Sequence, residues 1–256
     1  MDFTILLGVI AAVGIIAYGV GIEAFVDLFL DFDSIALVLG GTLAAVLIHF
    51  SSTQFIKSIF LFKVLFSMRK YNYQKDIDFI CELAKKVKQS GPSSIVDDIG
   101  RTKDHYLKTG LQLVIDEVSA DDVEYILREN IDNIFRRHSL GFNFFTQMAK
   151  YSPSFGLLGT VIGLIKLLAE LDDPDKVGPG MSIALLTTFY GIFFANLVFT
   201  PMAGRLRTYS MEEMFQKEML CVGIVSLARN DPSFIIKEKM LLYLSDRDRK
   251  KMLKKA

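Results

Sequence analysis

The chain has little of what reactive or cross-linked sites are made from. Its two cysteines, Cys81 and Cys221, have no ligand-like spacing and no secretory context, so they read as reduced thiols and not as a disulfide or a zinc site. Three histidines, His49, His105 and His138, are scattered and read as structural or surface groups. There is no glycine-rich nucleotide loop, no plausible Ser/His/Asp constellation and no metal-ligand cluster. Nothing therefore argues for an enzyme, a bound cofactor or a metal. Lys plus Arg number 29 and Asp plus Glu number 29, a formal net charge of +0, so the basic excess that nucleic acid would require is missing as well.

What is abundant is apolar surface. Hydrophobic residues make up 51% of the 256, and mean hydropathy is +0.35, too high for an ordinary soluble domain, yet 23% of residues are charged. That balance fits a membrane protein with an aqueous portion. Residues 3–22 carry no charge and are long enough to cross a hydrocarbon layer, which takes roughly 20 apolar residues. Asp2 stands where a signal peptide would be basic and no cleavage chemistry follows, so this run is expected to stay as a span. GIEAFVDLFLDFD comes next, with Glu23, Asp27, Asp31 and Asp33 among aromatic and aliphatic positions, an amphipathic interfacial pattern. Residues 34–56 form a second run free of Asp, Glu, Lys and Arg, followed by Lys57, Lys63, Arg69 and Lys70. The acidic first connection and the basic second one place the first outside and the second, with the N-terminus, in the cytoplasm.

Residues 57–150 read as a polar, helical segment of domain size. Ile77, Ile80, Ala84 and Val87 make one apolar stripe, ended by Gly91-Pro92, and a second helix is expected over residues 101–118. Ser119 and Asp122 resemble a capping box that opens a helix with Val123, Ile126, Leu127, Ile131 and Ile134 on its buried face. No strong stop follows, so this helix is expected to run on into the next apolar stretch.

Residues 151–204 hold two spans of unusual grammar, PSFGLLGTVIGLI from Pro153 and GPGMSIALLTTFYGIFFANLVFTP ending at Pro201. At helical spacing Gly156, Gly159, Thr160 and Gly163 share one face, and Ala184, Thr187, Thr188, Gly191 and Ala195 share another. Strips of small residues let helix backbones approach closely in a membrane. Apart from Lys166 near its end, the pair has no ionisable group, and its polar content is the hydroxyls of Thr160, Ser182, Thr187 and Thr188. Hydroxyls can coordinate an ion but do not hold a proton near neutral pH, so any ion path needs a carboxylate from a partner. The alternative is that each threonine bonds a carbonyl one turn back and only packs. Pro153 and Pro201 either mark span ends or, inside a helix, free the carbonyls of Ala149 and Leu197 and bend it. Between the spans ELDDPDK is acidic, consistent with an outer location, and Lys166 can pair with Glu170 or snorkel. After Arg205 and Arg207 a tail helix is expected to stop at Asn230-Asp231 and restart at Pro232. The final DRDRKKMLKKA is a basic run suited to anionic lipid.

PSFGLLGTVIGL, LDDPDKVGPGMSIALLTTFYG and SIALVLGGTLAA, together with the four-span layout, closely resemble the MotA and PomA family, the A-type stator subunits of the bacterial flagellar motor. The resemblance implies an all-α membrane protein with four transmembrane helices. Residues 1–56 would hold spans one and two, 57–150 a cytoplasmic rotor-facing domain, 151–204 spans three and four lining the ion path, and 205–256 a cytoplasmic tail. It implies a multi-pass inner-membrane protein with both termini cytoplasmic, in which five A subunits surround two B-type subunits whose aspartate carries the ion. The cargo would be a proton or sodium ion, with no other cofactor, and the ring would push the rotor protein FliG. Carried over by motif, Thr160 and Thr188, with Thr187 beside them, match the ion-path threonines, Thr160 leaning towards sodium. Asp31 matches the acid at the outer entrance, Asp172 and Asp173 the outer acidic pair, and Pro153 and Pro201 the coupling prolines. Gly156, Gly159, Gly163 and Gly191 would be the close-packing positions. Lys88, Asp97 and Asp98 are the nearest match to the family's rotor-facing charges, around an altered QSGPSS, and the tail's Asn230-Asp231-Pro232-Ser233 lacks the family's arginine. The other readings are a TolQ or ExbB-like energiser of an envelope-spanning protein and a non-motor membrane scaffold.

Overall fold

The computed structural model describes residues 4–65, 71–102, 104–247 and 249, and among these there are helices and turns but no strand. Arg69, Lys70 and residues 250–256 of the basic run lie outside them. Thr4–Val20 (α1) and Ile22–Phe29 (α2) meet at 101° about Gly21, whose φ of 96° suits glycine. Phe32–His49 (α3) and Ser52–Leu65 (α4) follow, then Tyr73–Ser90 (α5), a 3₁₀ turn over Pro92–Ile95, Val96–Arg101 (α6) and His105–Ile115 (α7). Ala120–Ala169 (α8) is a single helix of 50 residues with Pro153 inside it. Pro174–Phe193 (α9) passes through a wider π turn, Phe194–Phe199, into Thr200–Ala228 (α10), and Ser233–Leu241 (α11) comes last. Three helical runs are long and apolar enough to cross a membrane, Phe32–His49, Ala120–Ala169 and Val177–Ala228, and the bent α1–α2 pair could supply a fourth.

Contacts divide the described residues into two compact units. The first takes the residues before 69 together with His138–Thr208. Its aromatic centre is Phe50, Phe144 and Phe145 with Leu65, Met148, Phe199, Met202 and Leu206. Rings interlock edge to face, as for Phe62 and Phe145 at 5.0 Å. Helix α3 buries one narrow stripe, Ser34, Val38, Thr42 and Val46, and turns Leu43, Leu47 and Ile48 outwards. An apolar helix that buries one stripe and exposes the rest suits a lipid or neighbouring-subunit surround.

The second unit takes residues 69–137 and those from Tyr209 onwards. Its core joins Ile77, Ile80 and Leu83 of α5 to Leu111 of α7, Leu127 of α8, Met219, Leu220 and Ile224 of α10, and Ile236 and Met240 of α11. Each such side chain stabilises this unit by about 1.5–3 kcal/mol relative to leaving it exposed. The C-terminal stretch thus shares a core with residues 73–134.

Local signals place the helix ends. Asn72 accepts the Lys75 N–H, and Gly91 (φ 82°) ends α5. The expected helix over residues 101–118 is corrected to His105–Ile115, because Asp104 accepts the N–H groups of Tyr106 and Leu107 and starts a new helix there. The Ser119 hydroxyl accepts the Asp122 N–H at 3.2 Å and donates to the Asp122 carboxylate at 2.6 Å, so the capping pair forms as expected. Ile126 is 38% exposed, off the buried face assigned to it. The restart expected at Pro232 is corrected to Ser233: Pro232, in non-helical geometry, precedes the first helical position of α11 and follows Asn230 at φ 59°.

Burial pushes the thiol pKa of Cys81 and of Cys221 up, so both stay protonated and unreactive, as free cysteines packed in a core do. In the same unit the buried Lys217 is held by Glu213 at 3.5 Å, Asp104 at 3.8 Å and the face of Tyr106 at 4.9 Å.

Candidate ion-path seam and its prolines

The glycine faces of α8 and α9 meet each other. A Cβ placed on Gly156 would lie 2.8 Å from the Thr187 carbonyl oxygen and 3.1 Å from the Gly191 Cα. One placed on Gly163 would lie 2.7 Å from the Ala184 nitrogen and 2.8 Å from the Gly180 oxygen. Gly191 returns the contact, 2.9 Å from the Ser152 oxygen and 3.2 Å from the Pro153 Cα by the same construction. Only hydrogen fits at these points, so the two backbones are in van der Waals contact along the seam. Ser152 locks its end by donating its hydroxyl to the Gly191 carbonyl at 3.1 Å.

The threonines separate into two roles. Thr187 is fully buried against Gly159, and its hydroxyl is within bonding distance of the Ile183 and Ala184 carbonyls at 2.8 and 3.2 Å, which makes it part of the packing. Thr160 and Thr188 are partly exposed and touch each other through their hydroxyl oxygens. Thr160 also reaches the Gly156 and Ala184 carbonyls at 3.2 and 3.0 Å, and Thr188 reaches Ala184 at 3.3 Å. Two hydroxyls have only two protons to donate; one lies in their mutual contact and the other serves a carbonyl, which leaves oxygen lone pairs free to accept. That is a neutral, oxygen-rich point on a seam without a carboxylate.

Both prolines lie within helix. Pro153 stands inside α8 at the level where the seam reaches Gly191. Pro201 directly follows the π turn, in which the Thr200 N–H reaches back to the Ala195 carbonyl, five residues earlier. The helix around Pro201 is therefore widened, a local geometry not foreseen from the proline alone.

Asp31 stands at the start of α3, apart from Asp172 and Asp173. Its carboxylate accepts the Ser34 N–H at 3.0 Å and caps α3, while its own N–H donates to the Tyr190 hydroxyl at 3.4 Å. Asp172 is exposed and Asp173 partly so.

Of the charges matched to the rotor face, Lys88 and Asp97 are exposed, but Asp98 is 6% exposed and takes the Lys86 ammonium at 3.0 and 3.1 Å. That hydrogen bond, with a second that Lys86 donates to Glu82, holds the Lys86 pKa above its usual value. Asp98 thus anchors α6 to α5. Asp98→Ala is expected to lower the unfolding temperature of the detergent-solubilised protein by several degrees, whereas Asp97→Ala leaves it unchanged. Equal melting of the two variants would remove the distinction.

Tyr190, Ser152 and the π turn are features that sequence reasoning missed. The first had a usable signal, since a phenol inside an apolar span needs a hydrogen-bond partner.

A glycine seam between two apolar helices, with a hydroxyl pair on it, is the build of a membrane subunit made for close helix packing. The family model described as the MotA/TolQ/ExbB proton channel family matches residues 99–219. Motility protein A of Bacillus subtilis is 32% identical over 98% of this chain and 94% of its own length, and the chemotaxis protein PomA of Vibrio alginolyticus is 28% identical over 96% of each. The solved flagellar MotAB stator complex from Bacillus subtilis contains a chain that superposes with a TM-score of 0.90 at 31% identity, covering 98% of this chain and 99% of that one. The chain belongs to the MotA/TolQ/ExbB proton channel family, in its motility protein A branch.

Proposed function

We propose that this chain is the A-type stator subunit of a flagellar motor and works with a B-type partner to turn ion flow into torque. In this reading α1–α2, α3, the end of α8 and α9 are the four spans of a multi-pass inner-membrane protein. The second unit is cytoplasmic, as are both termini. Five copies around two B subunits would turn as the partner's aspartate takes and releases a proton or sodium ion beside Thr160 and Thr188. The cytoplasmic unit, through Lys88 and Asp97, would push FliG. Asp172 and Asp173 would form the outer acidic pair, and Asp31, apart from them, would be the acid of the ion entrance.

The observation that carries this reading is the Thr160–Thr188 hydroxyl pair on a seam without an ionisable group. A proton or sodium path through apolar helices needs a charged carrier, because a centred charge costs roughly 2.5–3.5 kcal/mol even on the lenient scale. Here only a partner's carboxylate can be that carrier. A scaffold would need only the bonds back to the Gly156 and Ala184 carbonyls, so the contact between the two hydroxyls is what favours the ion-path reading.

Thr188→Ala tests it. Swimming speed of cells carrying this chain and its B partner is expected to fall about two- to tenfold, the range that one lost hydrogen-bonding group gives. Co-purification with the partner is expected to be unchanged. Unaltered swimming would support the scaffold reading. Speed followed against sodium at fixed pH, with a sodium-channel blocker as control, identifies the ion.

A further inference from the structure

We propose that Tyr190 is a positioning residue for the entry carboxylate: its hydroxyl fixes the α2–α3 junction and, through it, the place of Asp31. The inference rests on reading Asp31 as the outer-entrance acid. Helix α2 ends at Phe29 and α3 begins at Phe32, so Leu30 and Asp31 leave the helical path, with φ of −94° and −115°. A break between two helices leaves backbone donors and acceptors without intrahelical partners.

Tyr190 supplies what is missing at both sides of this break. Its O–H donates to the Phe29 carbonyl, and the same oxygen accepts the Asp31 N–H at 3.4 Å. The ring cannot drift. Tyr190 is 6% exposed, packed with Val38 and Leu186, stacked on Phe194 at 5.9 Å and set edge-on to Phe189 at 5.5 Å. A rigid aromatic body with one polar tip therefore ties α9 to the two backbone groups that bracket Leu30. With its backbone held, the Asp31 carboxylate is placed on the Ser34 N–H at 3.0 Å. Because Tyr190 lies two residues past Thr188, the helix that carries the seam also sets the entrance.

Tyr190→Phe keeps the ring and removes only the hydroxyl. In cells expressing the full chain with its B partner, it is expected to raise the half-saturating concentration of the driving ion about two- to tenfold while leaving maximal swimming speed and protein level unchanged. Asp31→Asn is expected to shift the same quantity in the same direction. The double variant Asp31→Asn/Tyr190→Phe should be no worse than Asp31→Asn alone, because the hydroxyl acts through the carboxylate. If Asp31→Asn shifts the ion dependence and Tyr190→Phe does not, the proposal fails. It also fails if Tyr190→Phe lowers only maximal speed or protein level, or if the two effects simply multiply. If Asp31→Asn itself causes no shift, the entrance reading is what falls, and Tyr190 loses its positioning role with it.

Discussion

Gly163→Ala is expected to abolish motility and to reduce the amount of intact stator recovered from membranes. The added methyl meets the Ala184 nitrogen at 2.7 Å, the Gly180 oxygen at 2.8 Å and the Ala184 Cα at 2.9 Å, all backbone atoms of α9. No rotamer change can relieve such a contact, so the helices must move apart. Overpacking of this sort costs about 1–3 kcal/mol in each copy. In an apolar surround that loss falls on the term that drives helix association, since lipid tails solvate apolar side chains as well as another helix does. The movement would also reach function directly. Thr160 lies one turn from Gly163 and Thr188 one turn from Ala184, so a separated seam would part the hydroxyl pair. Gly14→Ala in α1 is the control, because nothing lies within 4 Å of a Cβ there. A helical Gly→Ala change without a clash is favourable by roughly 0.5–1 kcal/mol. Immunoblots of membrane fractions and swimming assays of both variants decide the matter. Wild-type motility of Gly163→Ala would mean that the seam is not in close contact in the working protein.

The seam was readable from the chain because small residues at i, i+3, i+4 and i+7 have no other common explanation in a long apolar run. The continuity of α8 was readable in part, since no strong stop follows Ser119 before Gly141, although Pro153 could have marked an end. What escaped were features that depend on pairing across distance or on one residue of phase. Asp97 and Asp98 are adjacent acids, and only the phase of a six-residue helix sends one to solvent and the other under Lys86. Residues 101–118 look like one apolar helix until Asp104 is seen as a cap. Tyr190 reads as one more aromatic in TTFYGIFF, and its bond to residue 29 lies beyond any local pattern. The core that joins residues 73–134 to those after 209 is equally non-local. The π turn before Pro201 has no sequence code of its own, although the proline marks where the ordinary helical bond must fail.

Pro153→Ala should separate stability from work. The substitution gives residue 153 an N–H for the Ala149 carbonyl, and interior proline costs a helix about 3 kcal/mol relative to alanine, so α8 should become locally firmer and the protein no less stable. Motility is nevertheless expected to fall more than tenfold, with the protein still in the membrane and still bound to its partner. Magnitudes give the reason. One charge moved through 100 mV supplies about 2.3 kcal/mol. Reopening an amide–carbonyl bond in an apolar surround costs about 4–6 kcal/mol. A helix that must bend at residue 153 in each small step could do so with the proline, where no bond exists to break, but not on one ion's energy once the bond is restored. Pro153 is also where α8 touches Gly191, so the bend and the seam share one point. Ion flux measured in vesicles together with rotation of tethered cells distinguishes the outcomes. Flux retained without rotation is the expected result, and unimpaired torque would show that Pro153 marks only a position in the helix.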